Sequence, residues 1–414
     1  MKRLLALVLA ALMVFAMVAC GAKTEGTTND TNATNTNGVA KESFKLGVIC
    51  LHDENSTYDK NFLDGVEEAK KALGLSDEQV LIKKNIEEGQ ACYDAAAELA
   101  DAGCNIVFAD SFGHEDYMIE AAKKFPEVQF CHATGTKAHT EKLANYNNAF
   151  AAIYEGRFLA GVAAGMKLNE MIADGKFTAQ EAKMGYVGAY TYAEVMSGYT
   201  SFYLGAKSVC PTVTMEVTFT GSWYDETAEK EAANKLIANG CKLISQHADS
   251  MGAPTACENA NIPDVSYNGS TVAACPNTFI VSSRINWAPY FEYIVNCVLN
   301  NEDIADDWTG TIATGSVVLT EVNEKAAAKG TQEAIDALIT DFKAGKVHVF
   351  DTKNFTVNGA VPDASILADV DSDADNTPET PVISDGYFHE SELRSAPYFA
   401  LEIDGITLLD KNYG

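Results

Sequence analysis

Short apolar segments alternate with amphipathic segments along most of this chain, and that order limits the folds it can adopt. Residues 44–51 (FKLGVICL) are typical of a buried strand, and residues 58–73 place apolar side chains at helical spacing. The pattern repeats, with strands predicted at 80–84, 105–109 and 128–131 and helices at 90–102 and 115–125. Repeated strand–helix units are typical of an α/β protein, in which helices cover both faces of a parallel sheet.

A second series of the same kind follows residue 150. Strands are predicted at 183–189, 213–219, 243–246 and 265–267, and helices at 154–167, 193–207, 225–239 and 253–260. The first of these helices contains GRFLAGVAAG, whose small residues indicate close packing against a neighbour. Two sets of similar size without a disordered linker predict two lobes, and residues 277–414 are expected to return to both.

The first 19 residues are predicted to be a signal peptide, because Lys2 and Arg3 precede a short apolar run. The ending Met17-Val18-Ala19-Cys20 resembles a bacterial lipobox, which predicts cleavage before Cys20 and lipid on its sulfur. Residues 20–41 are rich in Thr and Asn and predict a flexible stalk. The protein is therefore expected on the outer face of a bacterial cell membrane; an ordinary secreted protein is the alternative.

Charge and motif content exclude several functions. Asp and Glu number 58 against 30 Lys and Arg, giving a formal net charge of -28, which argues against nucleic-acid binding. Nine cysteines besides Cys20 include no C-x-x-C pair, so buried thiols are predicted rather than zinc or redox sites. The sequence lacks GxGxxG, P-loop, GxSxG and HExxH motifs, so neither an enzyme nor a cofactor is expected.

Residues 369–376 (DVDSDADN) carry carboxylates at alternate positions, as Ca²⁺ loops do. The segment lacks the glycine that an EF-hand loop has at its sixth position. A solvated acidic loop without a metal is therefore predicted.

Aromatic and polar residues recur where the predicted strands end. Ligands of open α/β sheets bind beyond the carboxyl ends of the strands, so these residues are candidates for a cleft that stacks a planar ligand and reads its edge. The candidates are Asn55, Tyr58, Ser111, Phe112, Glu194, Trp223, His247, Asp249, Ser250, Tyr267, Asn268 and Trp287. Each has a local alternative: Ser111 could cap a helix, Trp223 and Trp287 could lie in the core, and Asp249 could cap the helix near residue 253.

Five segments in order resemble the basic membrane protein family of ABC-transporter substrate-binding lipoproteins. They are FADSFGHEDYMIEAAKKFPEVQFCHATG (108–135), YEGRFLAGVAAG (154–165), MGYVGAYTYAEV (184–195), GSWYDETAEKEAANKLIANGCKLISQHADS (221–250) and NWAPYFEYIV (286–295). The resemblance implies a type I periplasmic-binding architecture, with two Rossmann-like lobes joined by three hinge crossings. Lobe one is placed at 42–150 plus 283–312, and lobe two at 151–282 plus 313–414.

The resemblance also implies a function. Members of this family bind purine nucleosides or nucleobases, and the segments at 247–250 and 286–290 resemble the adenine-binding type. Residues 55–58 lack the lysine of the nucleoside subgroup, which favours a free base. A monomer is expected whose lobes close on the ligand, in a form that a membrane permease recognises. The alternatives are a ligand-sensing receptor of the same fold and a secreted purine-acting hydrolase.

Overall fold

A computed structural model describes residues 38–372, 377–411 and 413. The predicted signal peptide, Cys20 and residues 21–37 of the predicted stalk lie outside these ranges. Within the described residues, no helix combines the length and the hydropathy needed to cross a membrane.

The first part of the described chain alternates strands and helices in the predicted order. Its elements are β1 (Leu46–Ile49), α1 (Thr57–Leu73), β2 (Val80–Lys83), α2 (Gln90–Asp101), β3 (Ile106–Ala109), α3 (Glu115–Lys124), β4 (Gln129–Ala133), α4 (Ala138–Glu141) and β5 (Tyr146–Ala151). Strand β5 was not predicted, because its sequence YNNAFA carries two buried asparagines in place of an apolar run.

The second part repeats the alternation and then continues past the predicted series. Its elements are α5 (Ile153–Ala173), β6 (Lys183–Gly188), α6 (Ala193–Val209), β7 (Thr214–Phe219), α7 (Glu226–Ala238), β8 (Leu243–His247), α8 (Gly252–Ala260), β9 (Asp264–Tyr267) and β10 (Phe279–Ile285). The chain goes on through α9 (Ala288–Asn300), β11 (Asp307–Gly310), β12 (Val317–Leu319) and α10 (Thr331–Lys343).

Residues 345–413 form what we call the C-terminal segment. It holds the short strands β13 (Leu367–Ala368), β14 (Thr380–Pro381), β15 (Ile383–Ser384), β16 (Tyr387–Phe388) and β17 (Ile406–Leu408). The segment contacts both halves of the molecule. Ser395 donates two hydrogen bonds to Asp307 Oδ1 at 2.9 and 2.7 Å, and the N–H of Met215 in β7 donates to the carbonyl of Gly405 at 3.0 Å.

Two sheets organise the described residues, and they confirm the predicted fold class. The first sheet has the order β11-β5-β4-β3-β1-β2 and is parallel throughout. The second has the order β12-β10-β9-β8-β6-β7-β17 and is parallel except for β12. We call each sheet with its covering helices a lobe. The predicted boundary at residue 283 falls inside β10, a strand of the second sheet.

Helix α1 shows how local sequence positions functional side chains. The Ser56 side chain accepts the Asp59 N–H and caps the helix start, and Gly74 ends the helix at a φ of 62°, where glycine has no steric cost. Because α1 follows β1 after a short loop, its first turn lies at the carboxyl end of the first sheet. Tyr58 and Asp59 are thereby fixed at the ligand-binding edge of an open α/β sheet.

Helices α5 and α6 approach each other backbone to backbone, as the small residues of α5 predicted. A Cβ on Gly161 would lie 2.0 Å from the carbonyl oxygen of Phe202, and one on Gly205 would lie 2.0 Å from that of Phe158. Any side chain at either position would force the helices apart. This contact sets the position of the α6 N-terminus, which carries Glu194.

Candidate ligand-binding site

A narrow cavity lies between the carboxyl ends of the two sheets. It is lined by Leu51, His52, Tyr58, Asp59, Ser111, Phe112, Thr134, Glu194, Trp223, His247, Asp249 and Tyr267. These residues come from both lobes, and each lies near the end of a strand or at the start of the following helix.

The two lobes touch each other directly at the rim of this cavity. The backbone N–H and the hydroxyl of Thr57 both donate to the carbonyl of Asp249 at 3.3 Å, and Asn61 Nδ2 donates to Asn268 Oδ1 at 3.1 Å. The ring of Phe112 stacks on that of Tyr192 with centroids 5.1 Å apart. The structure therefore describes a closed arrangement of the lobes.

Flat aromatic faces form much of the cavity wall. The Tyr58 hydroxyl donates to the carbonyl of Asp110 at 2.7 Å, which fixes the ring against the first sheet. Trp223 packs edge-on against Tyr190 at 5.1 Å, and Tyr267 lies 4.4 Å from the ring of His247. Rings held by such contacts offer rigid apolar surfaces to a planar ligand.

Asp249 is a buried carboxyl group that receives few hydrogen bonds from the protein. Its side chain is 5 % exposed, and Oδ1 accepts one long hydrogen bond, from Asn268 Nδ2 at 3.5 Å. Burial raises the pKa of Asp249 well above its usual range, and the negative charges of Asp59, Glu229 and Glu194 add to the effect. A hydrogen-bond donor on a ligand would relieve this desolvation.

The capping alternative for Asp249 does not match the structure. Helix α8 begins at Gly252, whose N–H is accepted by Ser250 Oγ at 3.0 Å. The Ser250 N–H in turn donates to the Glu229 carboxylate at 3.2 Å. Ser250 therefore organises the start of α8, and the Asp249 carboxyl is left to face the cavity.

Glu194 in α6 and His247 in β8 are in polar contact within the second lobe. Glu194 Oε1 lies 3.4 Å from His247 Nε2, and both side chains are buried. Burial lowers the pKa of His247, so the imidazole is neutral at neutral pH despite the opposing effect of Glu194. A Cβ on Gly198 would lie 2.5 Å from His247 Nδ1, so this glycine in α6 provides the space that the ring occupies.

Four predicted candidates do not line the cavity, and the structure gives the reason for each. Asn55 is exposed and its amide donates to Asp53 Oδ1 at 2.8 Å. Ser250 supports α8, and Asn268 lies behind Asp249 as its partner. Trp287 is 1 % exposed and stacks on Phe62 at 4.4 Å, inside the core of the first lobe. The eight other candidates lie together on the wall.

Four wall residues were not among the predicted set: Leu51, His52, Asp59 and Thr134. The Ser-x-x-Asp pattern that ends at Asp59 is a helix-start signal, which would have placed its carboxyl in the first turn. His52 follows the first predicted strand directly. Thr134 follows the fourth strand, and no candidate was predicted at the end of that strand.

Asp59 on the cavity wall and Asp110 behind it form a pair of buried carboxyl groups, with Cys50 beside them. One ligand-type atom from each of the three side chains lies within 4.8 Å of the others. Burial acts to raise the pKa of Asp59, but hydrogen bonds from His52 and Ser56 outweigh it and the pKa is lowered. Burial and the neighbouring Asp59 charge raise the pKa of Asp110 well above its usual range. The pair therefore carries one negative charge, on Asp59.

Two lobes of parallel sheet with a cavity between their carboxyl ends are an arrangement suited to binding a small solute. The family model described as ABC transporter substrate-binding protein PnrA-like matches residues 48–342, and the chain belongs to this family. The predicted resemblance is thus confirmed, and with it a role in binding rather than catalysis. Proteins of this kind work outside the cytoplasm together with a membrane permease.

Individual relatives differ in the ligand that they are named for. A purine-binding protein of Brucella abortus is 33% identical over 255 residues, covering 61% of this chain and 68% of that protein. A putative ABC transporter glucose-binding protein of Haloferax volcanii is 30% identical over 224 residues, covering 54% of each. An ABC transporter nucleoside-binding protein of Lactococcus lactis is 24% identical over 229 residues, covering 53% of this chain and 60% of that protein.

Solved structures agree on the fold. ABC transporter solute-binding proteins from Conexibacter woesei and Aeropyrum pernix match with TM-scores of 0.60 and 0.62 at 19% and 14% identity. The matches cover 74% and 80% of this chain and 98% and 95% of those chains. At such identities the likeness concerns the fold alone.

The Asp59–Asp110 pair predicts how stability depends on pH. Because the pKa of Asp110 is raised on folding, its contribution is fully present below about pH 4 and is lost as the pH rises through the folded pKa. The variant Asp110→Asn keeps the acceptor for the Leu51 N–H but cannot ionise. We expect the free energy of unfolding of the wild type to fall relative to that of Asp110→Asn as the pH rises from 4.5 to 8, because only the wild type must ionise a buried carboxyl.

Urea unfolding at pH 4.5 and pH 8 measures this difference. Asp64→Asn is the control, because Asp64 is exposed on α1 and pairs with Lys60. A pH dependence of Asp110→Asn equal to that of the wild type would contradict the assignment of the proton to Asp110.

Proposed function

We propose that this protein captures a purine, with an adenine-type base favoured, and presents it to an ABC permease in a closed form. The observation that carries the proposal is the buried Asp249 carboxyl, which faces a cavity with the aromatic rings of Tyr58, Trp223 and Tyr267 on its wall. The purine-binding relative in Brucella abortus supports the same ligand class. The wall residues that we assign to binding are Tyr58, Ser111, Phe112, Glu194, Trp223, His247, Asp249 and Tyr267.

The charge of the cavity supports a ligand that donates hydrogen bonds. Asp59, Glu194 and Asp249 line it, and among the lining residues of the described chain there is neither a lysine nor an arginine. Carboxylate oxygens accept hydrogen bonds from exocyclic amines and ring N–H groups, which an adenine-type edge supplies. An anionic ligand would meet repulsion from the carboxylates of Asp59 and Glu194.

The protein is further proposed to act as a monomer held at the outer face of a bacterial membrane by lipid on Cys20. The support is the sequence of residues 1–20, together with the role of the family outside the cytoplasm. Tethering keeps a binding protein near its permease, where a released ligand is captured at high local concentration.

Thermal unfolding with candidate ligands tests the ligand class. We expect adenine or adenosine to raise the melting temperature, because a ligand at a hundred times its dissociation constant adds about 2.7 kcal/mol of stability. Glucose is the comparison ligand, since one relative is named for it. A shift with glucose and none with either purine would overturn the proposal.

The variant Asp249→Ala tests whether this carboxyl binds the hydrogen-bonding edge of the purine. We expect at least a tenfold loss of affinity for adenine, about 1.4 kcal/mol, in isothermal titration calorimetry. The melting temperature of the unliganded variant should not fall, because the wild-type carboxyl is poorly compensated. Asn55→Ala is the matched control, since Asn55 is exposed and lies off the wall; an equal loss in both variants would argue against a specific contact.

Trp223 and Trp287 make a matched pair of substitutions. Trp223→Ala should weaken purine binding by about 1–3 kcal/mol through lost stacking, and the fold should persist. Trp287→Ala should instead lower the free energy of unfolding by about 3–5 kcal/mol, because it empties a core position. Calorimetry and urea unfolding of both variants separate the two effects, and unfolding of the Trp223 variant would assign that residue to the core.

A further inference from the structure

The C-terminal segment is built into the second lobe. Its strand β17 adds to the edge of the second sheet, in parallel register with β7. The Asp410 carboxylate accepts the hydroxyl of Thr218 at 2.6 Å, and the carbonyl of Tyr413 accepts the N–H and the hydroxyl of Thr191 at 2.7 and 2.6 Å. The segment lies beyond residue 342, where the family match ends. The second lobe therefore carries a long addition to the matched part of the chain.

The same segment also binds the first lobe, at β11. Ser395 is fully buried and donates through its N–H and its hydroxyl to Asp307 Oδ1 at 2.9 and 2.7 Å. The Thr309 hydroxyl donates to the carbonyl of Ser391 at 3.2 Å. Strand β11 is the last element of the first lobe before the chain crosses to β12 in the second sheet. These bonds therefore span a hinge crossing.

A further contact reaches α4 of the first lobe. The Thr140 hydroxyl donates to the carbonyl of Asp371 at 2.5 Å. The neighbouring Arg394 is 7 % exposed, and its guanidinium donates to the carbonyls of Val370 and Pro397 at 2.9 and 3.1 Å. Because Arg394 ties the part of the segment that contacts α4 to the part that contacts β11, the two contacts with the first lobe are held together.

The segment lies along one side of the cleft. A space beside the ligand cavity is lined by Thr134 and Thr136 of the first lobe, Tyr192 and Glu194 of the second lobe, and Ser372 and Arg394 of the segment. Since all three parts of the molecule surround one space, the lobes cannot separate here while the segment stays bound to both. Opening must therefore break its bonds to the first lobe, which are fewer than its bonds to the second.

We propose that the C-terminal segment is a clasp, which is carried by the second lobe and binds the first lobe when the lobes close. No ligand takes part in its bonds, so they contribute equally to the empty and the loaded closed forms. They offset part of the cost of burying Asp249 and Glu194 on closure. Apparent affinity scales with the population of the binding-competent form, so the clasp strengthens binding without touching the ligand.

Double electron–electron resonance measures the separation of the lobes directly. Lys60→Cys in α1 and Lys230→Cys in α7 provide two exposed label sites, one on each lobe. The nine cysteines of the described residues are buried, and Cys20→Ser removes the tenth thiol. This measurement is made on the ligand-free full chain, so it does not depend on the proposed ligand.

A triple variant, Thr140→Val, Thr309→Val and Ser395→Ala, removes three hydroxyls that donate across the two lobes. We expect the closed population of the ligand-free protein to be at least fivefold smaller in this variant than in the wild type. Thr140→Val alone should shift the population in the same direction by a smaller factor. Because Thr140 is exposed, this single change tests the clasp even if the triple variant folds poorly.

Calorimetry with adenine adds a second readout, which rests on the proposed function. We expect the triple variant to bind adenine at least fivefold more weakly than the wild type. Asp404→Asn is the control and should change affinity by less than twofold, because Asp404 is exposed and accepts bonds from Thr356 and Gly359 within the segment.

Equal closed populations in the wild type and both clasp variants would overturn the inference, whatever the affinities. A loss of affinity without a change in lobe separation would do the same, since it would point to a local effect on the site. A wild type that does not bind adenine would contradict the proposed function, while the ligand-free distances would still decide whether the clasp exists.

Discussion

The buried guanidinium of Arg157 holds the second lobe together beneath the cavity. Arg157 projects from α5 and is fully buried. It donates to Tyr186 Oη in β6 at 3.1 Å, Ser245 Oγ in β8 at 2.7 Å, the Ser266 carbonyl in β9 at 3.2 Å and Ser283 Oγ in β10 at 3.4 Å. It also lies 5.2 Å from the ring of Tyr267, which lines the cavity. One side chain thus fixes four strands and one wall residue, and loss of its partners would leave an uncompensated buried charge.

The two lobes stabilise their buried charged groups in different ways. In the second lobe, neutral oxygens and aromatic rings surround the guanidinium of Arg157. In the first lobe Asp59 is satisfied by the His52 N–H and the Ser56 hydroxyl at 2.7 and 2.6 Å, while Asp110 is kept neutral. Both arrangements hold the wall rigid without a strong ion pair facing the ligand. Among the described residues, the buried polar atoms without a hydrogen-bond partner include His52 Nδ1, His247 Nδ1 and Tyr267 Oη on the cavity wall.

Sequence reasoning succeeded where the determinants are local and failed where they are not. Helix α1 and the alternation of strands and helices along the chain follow from periodicity, and wall residues such as Phe112 and Trp223 follow from the rule that ligands lie beyond strand ends. The same rule misplaced Trp287, because loop position alone does not tell a wall residue from one that turns back into the core. Arg157 belongs to the small-residue segment of α5, and nothing in that segment marks it as a structural centre. Its role depends on strands that lie about 30 to 125 residues away in the chain, which no local pattern reveals.

The balance of contacts in the closed form bears on transport. Direct bonds between the lobes at the rim are few and long, at 3.1 to 3.3 Å between Thr57, Asn61 and the loops of the second lobe. Such bonds contribute about 1 kcal/mol each at most, since water replaces them on opening. Closure meanwhile removes Asp249 and Glu194 from water, which opposes it. In the proposed function, the closed form is favoured chiefly when a ligand donates hydrogen bonds to these carboxyl groups, and a ligand shifts the equilibrium only by its differential affinity for that form. A permease that recognises the closed lobes would then select the loaded protein over the empty one.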